Sequence, residues 1–234
     1  MTVRHFTACH LAVPHRLVLL LVLLLAGCAG IPSAPPAPEN NLEIKWREHQ
    51  GQVAGIHQWN LSGRIGVRTD ETGGSANLRW KRQEGHDQID LFGPLGGGRI
   101  RLDIDAAGAR LRDGQGQEFF AATGSEVLLK ATGWYVPFEV LGDWVRGMPA
   151  PGVHEIEIDE TGKLISLNQS GWTILFNDYV PHHQVLLPRK IRVSASKEVI
   201  DELASGNQIS GNQLVVKLYI DEWTPPAGVT EMDQ

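Results

Sequence analysis

Few residues in this chain of 234 have the type and setting to do covalent chemistry, and the clearest of them is a thiol. Cys28 ends the run Leu25-Ala26-Gly27-Cys28, directly behind an uninterrupted apolar stretch from Leu17 to Leu25 that Arg4 and Arg16 precede. Basic start, apolar core and small-residue exit follow the order of a secretory signal, and a cysteine just after the small pair is an acceptor for lipid through its sulfur. The other candidates fail on context. Ser170, in Gln169-Ser170-Gly171, lacks the G-x-S-x-G surroundings of a nucleophile and reads as a hairpin turn. His182-His183, with His154, would offer metal ligands, but neighbours in a strand point to opposite faces, so a solvated loop is expected there. Glu155, Glu157 and Asp159 alternate with isoleucines as a solvated sheet surface does and form no acid/base pair. Gly96-Gly97-Gly98 is followed by neither the helix nor the lysine of a phosphate-binding loop. No catalytic residue, metal site or cofactor is expected, and the chain reads as a non-enzyme.

The apolar run is shorter than the 17 to 25 or so residues that normally span a bilayer. Its pattern is that of a bacterial lipoprotein signal. Residues 1–27 are then removed, and Cys28 becomes the first residue, carrying a thioether-linked diacylglycerol and an acylated amino group. One acyl chain holds a protein to a membrane only marginally and about two suffice, so three make release slow. The expected place is a membrane surface facing the periplasm. The processed chain has 207 residues with 19 basic and 27 acidic side chains, a net charge of -8. That balance argues against nucleic acid as a partner. Cys9, the only other cysteine, leaves with the signal, so neither a disulfide nor a Cys-ligated metal is available to the domain. Residues 28–41, with Pro32, Pro35, Pro36 and Pro38, form an extended linker of about 3.1 Å per residue, which holds the domain off the lipid surface.

The domain itself, residues 42–223, begins with a weakly amphipathic helix over 42–57, where Leu42, Trp46, Val53 and Ile56 recur at helical spacing. From Trp59 the period becomes two. Trp59, Leu61, Ile65 and Val67 share one face of a strand, and Gly63 marks a close approach or bend. Alternation continues through Leu78 and Trp80, Ile89 and Leu91, then Ile100, Leu102 and Ile104, with shorter strands at 109–112 and 118–120. Two helices interrupt the strands. Thr123 with Glu126 makes a capping box and Gly133 a stop; Pro137 opens the second helix, which runs through Leu141 and Trp144 to Gly147. Strands resume at Ile156, turn at Thr161-Gly162, and continue through Leu167, Gly171 to Phe176, and Ile191 with Val193 after Pro188. A short helical excursion is expected at 198–203, and the last strand, Leu214 to Ile220, alternates most cleanly. Residues 224–234 read as a disordered tail. About ten antiparallel strands with two inserted helices make a mainly β (α+β) fold, a sheet curled around its helices as a half-open barrel with a helical lid.

Leu95 stands apart. A leucine at a turn tip normally folds back onto its own sheet, but Pro94 before it and Gly96-Gly97-Gly98 after it supply little to bury it. An exposed apolar tip is a candidate membrane or ligand contact.

In order behind the signal come Trp59, Gly63-Arg64-Ile65, Trp80, Phe92-Gly93-Pro94-Leu95-Gly96, and Pro137 with Leu141 to Trp144. Gly147-Met148-Pro149, Gln169-Ser170-Gly171-Trp172, Leu187-Pro188 and Trp223 complete the series. Jointly this order resembles the LolB family, outer-membrane lipoprotein receptors of the bacterial lipoprotein localisation pathway. The resemblance implies an unclosed antiparallel β-barrel with a helical lid over an apolar cavity. That cavity would accept the acyl chains of lipoproteins from a soluble periplasmic carrier of the LolA type. It also implies that the turn Pro94, Leu95 and Gly96 protrudes and helps place cargo among outer-membrane lipids, and that the protein works as a monomer. Ala29, after the lipidated cysteine, is compatible with an outer-membrane destination. Candidate cavity residues are Leu61, Ile65 and Val67 on the first strand with Phe138 and Leu141 on the lid. Two other readings remain at this stage, a structural outer-membrane lipoprotein that binds no acyl chain and a lipid-acting hydrolase.

Overall fold

The computed structural model describes residues 41–93, 98–206, 209 and 211–224. The signal, Cys28 and the linker up to residue 40, the turn Pro94-Leu95-Gly96, and the tail beyond Thr224 lie outside the described residues. The helix α1 (Asn41–Ala54) comes first, then a meander of six strands: β1 (Trp59–Thr69), β2 (Gly73–Gln83), β3 (His86–Phe92), β4 (Arg99–Asp105), β5 (Gly108–Arg112) and β6 (Glu118–Ala121). Two helices follow, α2 (Gly124–Thr132) and α3 (Phe138–Trp144). A second meander holds β7 (His154–Ile158), β8 (Leu164–Gln169), β9 (Trp172–His182) and β10 (Val185–Ala195), with α4 (Lys197–Ser205) before the last strand, β11 (Leu214–Thr224).

All eleven strands form one antiparallel sheet in the order β6-β5-β4-β3-β2-β1-β11-β10-β9-β8-β7. The two meanders meet where the first strand pairs with the last, and β6 and β7 are left as free edges, so the barrel is unclosed. The chain leaves one edge at β6, makes α2 and α3, and re-enters at the opposite edge through β7. Strand alternation sends Leu61, Ile65, Leu78, Trp80, Ile89, Leu102, Leu167, Ile174, Val193 and Leu218 to one face. There they join Val127, Leu128, Phe138, Leu141 and Trp144 of the two helices in one apolar cluster. That inner face cannot stay in water, and the helices supply its cover.

Local chemistry sets the helix ends as expected. Thr123 Oγ1 accepts the Glu126 N–H at 3.2 Å, and Gly133 closes α2 in the left-handed conformation that its missing side chain allows. The carbonyl of Pro137 accepts the Leu141 N–H at 2.9 Å and starts α3, which stops at Trp144, three residues short of the expected Gly147.

Other boundaries also move. β2 begins at Gly73, inside the expected turn and paired with Arg68 of β1, and Trp134 packs directly over Gly74, where a Cβ would lie 2.4 Å from the indole. β9 and β10 run on to a hairpin at His182–Val185, so Pro188 lies inside a strand. β11 pairs with β10 only from Lys190 to Ser194, so at Pro188 the strand has a partner on one side only, where a missing N–H is tolerated. β11 also continues through Thr224, the first residue of the expected tail. His183 is not extended but left-handed, with φ of 52°, which brings its ring within 4.5 Å of His182 instead of to the opposite face. Among the described residues no three His, Cys, Asp or Glu side chains converge as a metal site would need. Ser170 and Gly171, both at positive φ, form the two-residue β8–β9 hairpin loop.

Gly63 lies at the seam of the two meanders. The β1–β11 register shifts between Ser62 and Gly63, and a Cβ at Gly63 would stand 2.1 Å from the carbonyl oxygen of Tyr219. Because the obstacle is backbone, Gly63→Ala is expected to cost about 3 kcal/mol, read as a lower urea midpoint at unchanged slope.

His49 fastens α1 to the sheet, packed between Trp46 and Tyr179 with Nε2 buried and without a hydrogen-bond partner among the described residues. Burial, then the charge of Lys163, lowers its pKa below the usual 6.5, against a smaller opposing effect of Asp159. The unfolded chain therefore binds a proton that the folded one refuses. The stability contributed is present above pH 6.5 and lost as pH falls below it. Unfolding midpoints should drop between about pH 7.5 and pH 5.5, and less so in His49→Leu.

Candidate functional site

The inner face and its helical cover bring the five candidate cavity residues into one place. Leu61, Ile65 and Val67 project from β1, Phe138 and Leu141 from α3, and none is more than 4 % exposed. Leu61 stands in register with Trp80, whose ring meets Phe138 edge-on at 5.7 Å. Trp59 meets Trp80 at 5.0 Å and Trp223 at 5.5 Å, so three tryptophans from β1, β2 and β11 floor the interior. These rings are far apart in sequence and adjacent only through the strand order. Further along, Tyr135 stacks on Trp172 at 6.2 Å, and Trp172 leans on Trp144.

Several polar groups in this interior carry no signal strong enough to have been singled out from sequence. Asp87 and Arg82 occupy inward positions of β3 and β2 and are register partners. Arg82 Nε and Nη2 donate to the two Asp87 oxygens at 2.7 and 2.6 Å, and Trp80 Nε1 donates to Asp87 at 2.7 Å. The Arg82 guanidinium lies under α3, and a Cβ at Gly142 would approach it to 2.3 Å. Gly142 is thus the residue that lets the helix sit on a charged group. The usable hint was a pair of opposite charges at apolar parity in facing strands. Gln169, also buried, accepts from Trp144 Nε1 and the Ala150 N–H at 2.9 Å each and donates to the Ala150 carbonyl at 2.6 Å. Trp59 Nε1 differs, being buried without a hydrogen-bond partner among the described residues.

The two covering helices are tied to each other by a set of hydrogen bonds around Ser125. The Ser125 hydroxyl lies 2.6 Å from the Val136 carbonyl, accepts the Phe138 N–H at 3.1 Å and touches the Glu139 carboxylate, which also takes the Ser125 N–H at 3.1 Å. They are held as a unit, and apolar packing presses that unit on the sheet.

An open antiparallel half-barrel with an apolar interior under a two-helix cover is the class of protein that this arrangement defines. The sequence profile described as "Outer membrane lipoprotein LolB" matches residues 57–223. The chain is 32% identical over 213 residues to the outer-membrane lipoprotein LolB of Pseudomonas syringae pv. syringae (strain B728a), covering 90% of this chain and 96% of that protein. It is 34% identical over 209 residues to that of Stutzerimonas stutzeri (strain A1501), covering 88% and 92%. Among solved structures, a LolA superfamily protein from Nitrosomonas europaea is similar at a TM-score of 0.47 and 8% identity, over 79% of this chain and 93% of that one. The chain belongs to the LolB family. It is an outer-membrane lipoprotein and not an enzyme.

Removing the Asp87 carboxylate strands the Arg82 charge beneath α3 and unpairs Trp80 Nε1. Asp87→Ala is therefore expected to cost about 2–3 kcal/mol in urea unfolding, and Asp87→Asn, which keeps one acceptor, clearly less.

Proposed function

We propose that this protein is the outer-membrane receptor that takes acylated lipoproteins from a soluble, LolA-like periplasmic carrier and delivers them into the outer membrane. The observation that carries this reading is the cover of the inner face. Two short helices, bound to each other by the Ser125–Glu139 contacts, connect the edge strand β6 to the edge strand β7 and pack on the inner face. Lifting them exposes the interior without breaking a single strand pairing.

Magnitudes support such an exchange. Burial of Val127, Leu128, Phe138, Leu141 and Trp144 under the cover contributes about 7–15 kcal/mol in total. An acyl chain of about 15 methylene groups entering the same space recovers about 12 kcal/mol at 0.8 kcal/mol each. The two nearly offset each other, so cargo can replace the packing of Leu61, Ile65, Val67, Phe138 and Leu141 without an external energy source. Trp59 Nε1, a buried donor without a partner among the described residues, is placed to donate a hydrogen bond to the carbonyl of an incoming ester or amide. Handover then needs only a modest preference of receptor over carrier, about 1.4 kcal/mol per tenfold.

In this reading residues 1–27 are the signal, Cys28 carries the lipid anchor, and residues 28–41 are the tether. The turn Pro94-Leu95-Gly96 contacts outer-membrane lipid, and one copy of the chain suffices.

The direct experiment mixes carrier loaded with a lipoprotein and the unlipidated receptor. Cargo should move to the receptor; cargo that stays on the carrier sinks the proposal. A fluorescent fatty acid should bind the isolated receptor, and absence of binding would favour a scaffolding role. Leu95→Glu should leave uptake intact and reduce incorporation of cargo into vesicles at least tenfold.

A further inference from the structure

The outer face of the sheet carries a feature that acyl-chain handling does not use. A groove of about 580 Å³ crosses β2, β1, β11, β10 and β9, and its charged lining consists of Arg64, Lys190, Arg192 and Lys217, with no carboxylate. Asp178 and Asp221 pair with Lys190 at 3.1 Å and Arg64 at 3.6 Å but do not line the groove. Arg192 and Lys217 face each other as direct register partners, and among the described residues neither makes an ion pair or side-chain hydrogen bond. Like charges directly opposite on a sheet are destabilising, and this chain places them together although its net charge from residue 28 onward is -8. The floor beside Lys217 is Gly66, which contributes no side chain, and Ser75 on β2 and Asn177 on β9 add neutral polar groups on the two sides of the groove. Tyr219 holds the Arg64 guanidinium 4.6 Å above its ring and so keeps that cation at the rim.

Cations around a side-chain-free floor, with an arginine fork among them, match the oxygens of a phosphate. Two neighbours indicate lipid as its source. Leu175, exposed, is the register partner of Arg192 and gives the groove an apolar flank. Gly66 and Ser75 are also close to the sheet end where β1 turns into β2. At this same end β3 finishes at Phe92, opposite Asn77, and the chain passes on to Arg99 through the turn that contains Leu95. The geometry points to a binding groove for the headgroup phosphate of a membrane phospholipid, with Arg192 and Lys217 as its principal ligands. This rests on the receptor reading, in which that end of the sheet meets the membrane.

The test is flotation of the chain from residue 28 onward, carrying Cys28→Ala, with phosphatidylcholine vesicles and with vesicles containing about one-third phosphatidylglycerol. Binding should favour the phosphatidylglycerol vesicles and weaken with salt. Arg192→Glu/Lys217→Glu should reduce it at least tenfold at an unchanged urea midpoint. Lys130→Glu/Lys197→Glu, an equal change of net charge on the helices, should reduce it much less. Equal losses in the two double variants, or none in the first, would overturn the assignment. So would calorimetric binding of inorganic phosphate to the groove with vesicle binding untouched by the reversal, which would make it a free-phosphate site. Loss of cargo transfer from carrier in vesicle-free solution, at unchanged flotation, would instead assign the groove to an acidic protein and overturn the lipid reading. Fatty-acid uptake without vesicles separates the two proposals. Uptake should survive the Arg192/Lys217 reversal, whereas its absence in the unaltered chain would sink the receptor reading without bearing on flotation.

Discussion

The pairing of the first strand with the last is the contact on which the rest of this molecule depends. Each meander is a run of local hairpins, and only β1 and β11 make them a single sheet. Partners there are separated by more than a hundred residues, so a large loop must close before any of its hydrogen bonds form. The seam succeeds because Gly63 lets the backbone of Tyr219 approach where no side chain could fit, and because Trp59 and Trp223 meet across it. Joining the meanders sets the distance between the free edges β6 and β7, which the α2–α3 crossover then has to span.

From that crossover follows a division of labour between hydrogen bonds and burial. The sheet is held by strand ladders, which resist partial opening. The α2–α3 unit is joined to it mainly through side-chain packing around Phe138, Leu141 and Trp144, with one hydrogen bond from Trp144 to Gln169 of β8. The buried Arg82–Asp87 pair beneath α3 complicates this, since it is well bonded in place and would be partly uncovered if the helix moved. A charged group beneath α3 lowers what uncovering would cost, because water can resolvate it while apolar neighbours gain nothing. The interior is thus mostly oil-like with one polar margin, which suits a guest having apolar chains and a polar head.

Much of the architecture was legible in the alternation itself. A half-buried antiparallel strand must show a period of two, and the strands through Leu61, Ile65, Leu102 and Leu218 do so without ambiguity. Helix ends were legible for a similar reason, since Thr123, Gly133 and Pro137 act through their own backbone geometry. The errors fall where distant partners override local preference. Pro188 was read as a strand boundary but is tolerated inside β10 because β11 pairs with only part of that strand. His183 falls in the turn after β9, as a solvated loop requires, and its positive φ brings its ring to that of His182 instead of to the opposite face. The five candidate interior residues were found from parity and resemblance, whereas Arg82, Asp87 and the bare N–H of Trp59 are polar groups whose burial alone makes them notable.

What the sequence determines alone is whatever depends on short-range chemistry. This covers the periods of strands and helices, the caps, and an ordered set of tryptophans and turns sufficient to place the family. Tertiary structure decides what depends on which surfaces meet. Strand order brings Trp59, Trp80 and Trp223 into one floor, the crossover lays α3 over Arg82, and register sets Arg192 against Lys217 on the outer face. Period two assigns a residue to a face but not to a neighbour, because neighbours across a sheet are chosen by pairings that close over long stretches of chain.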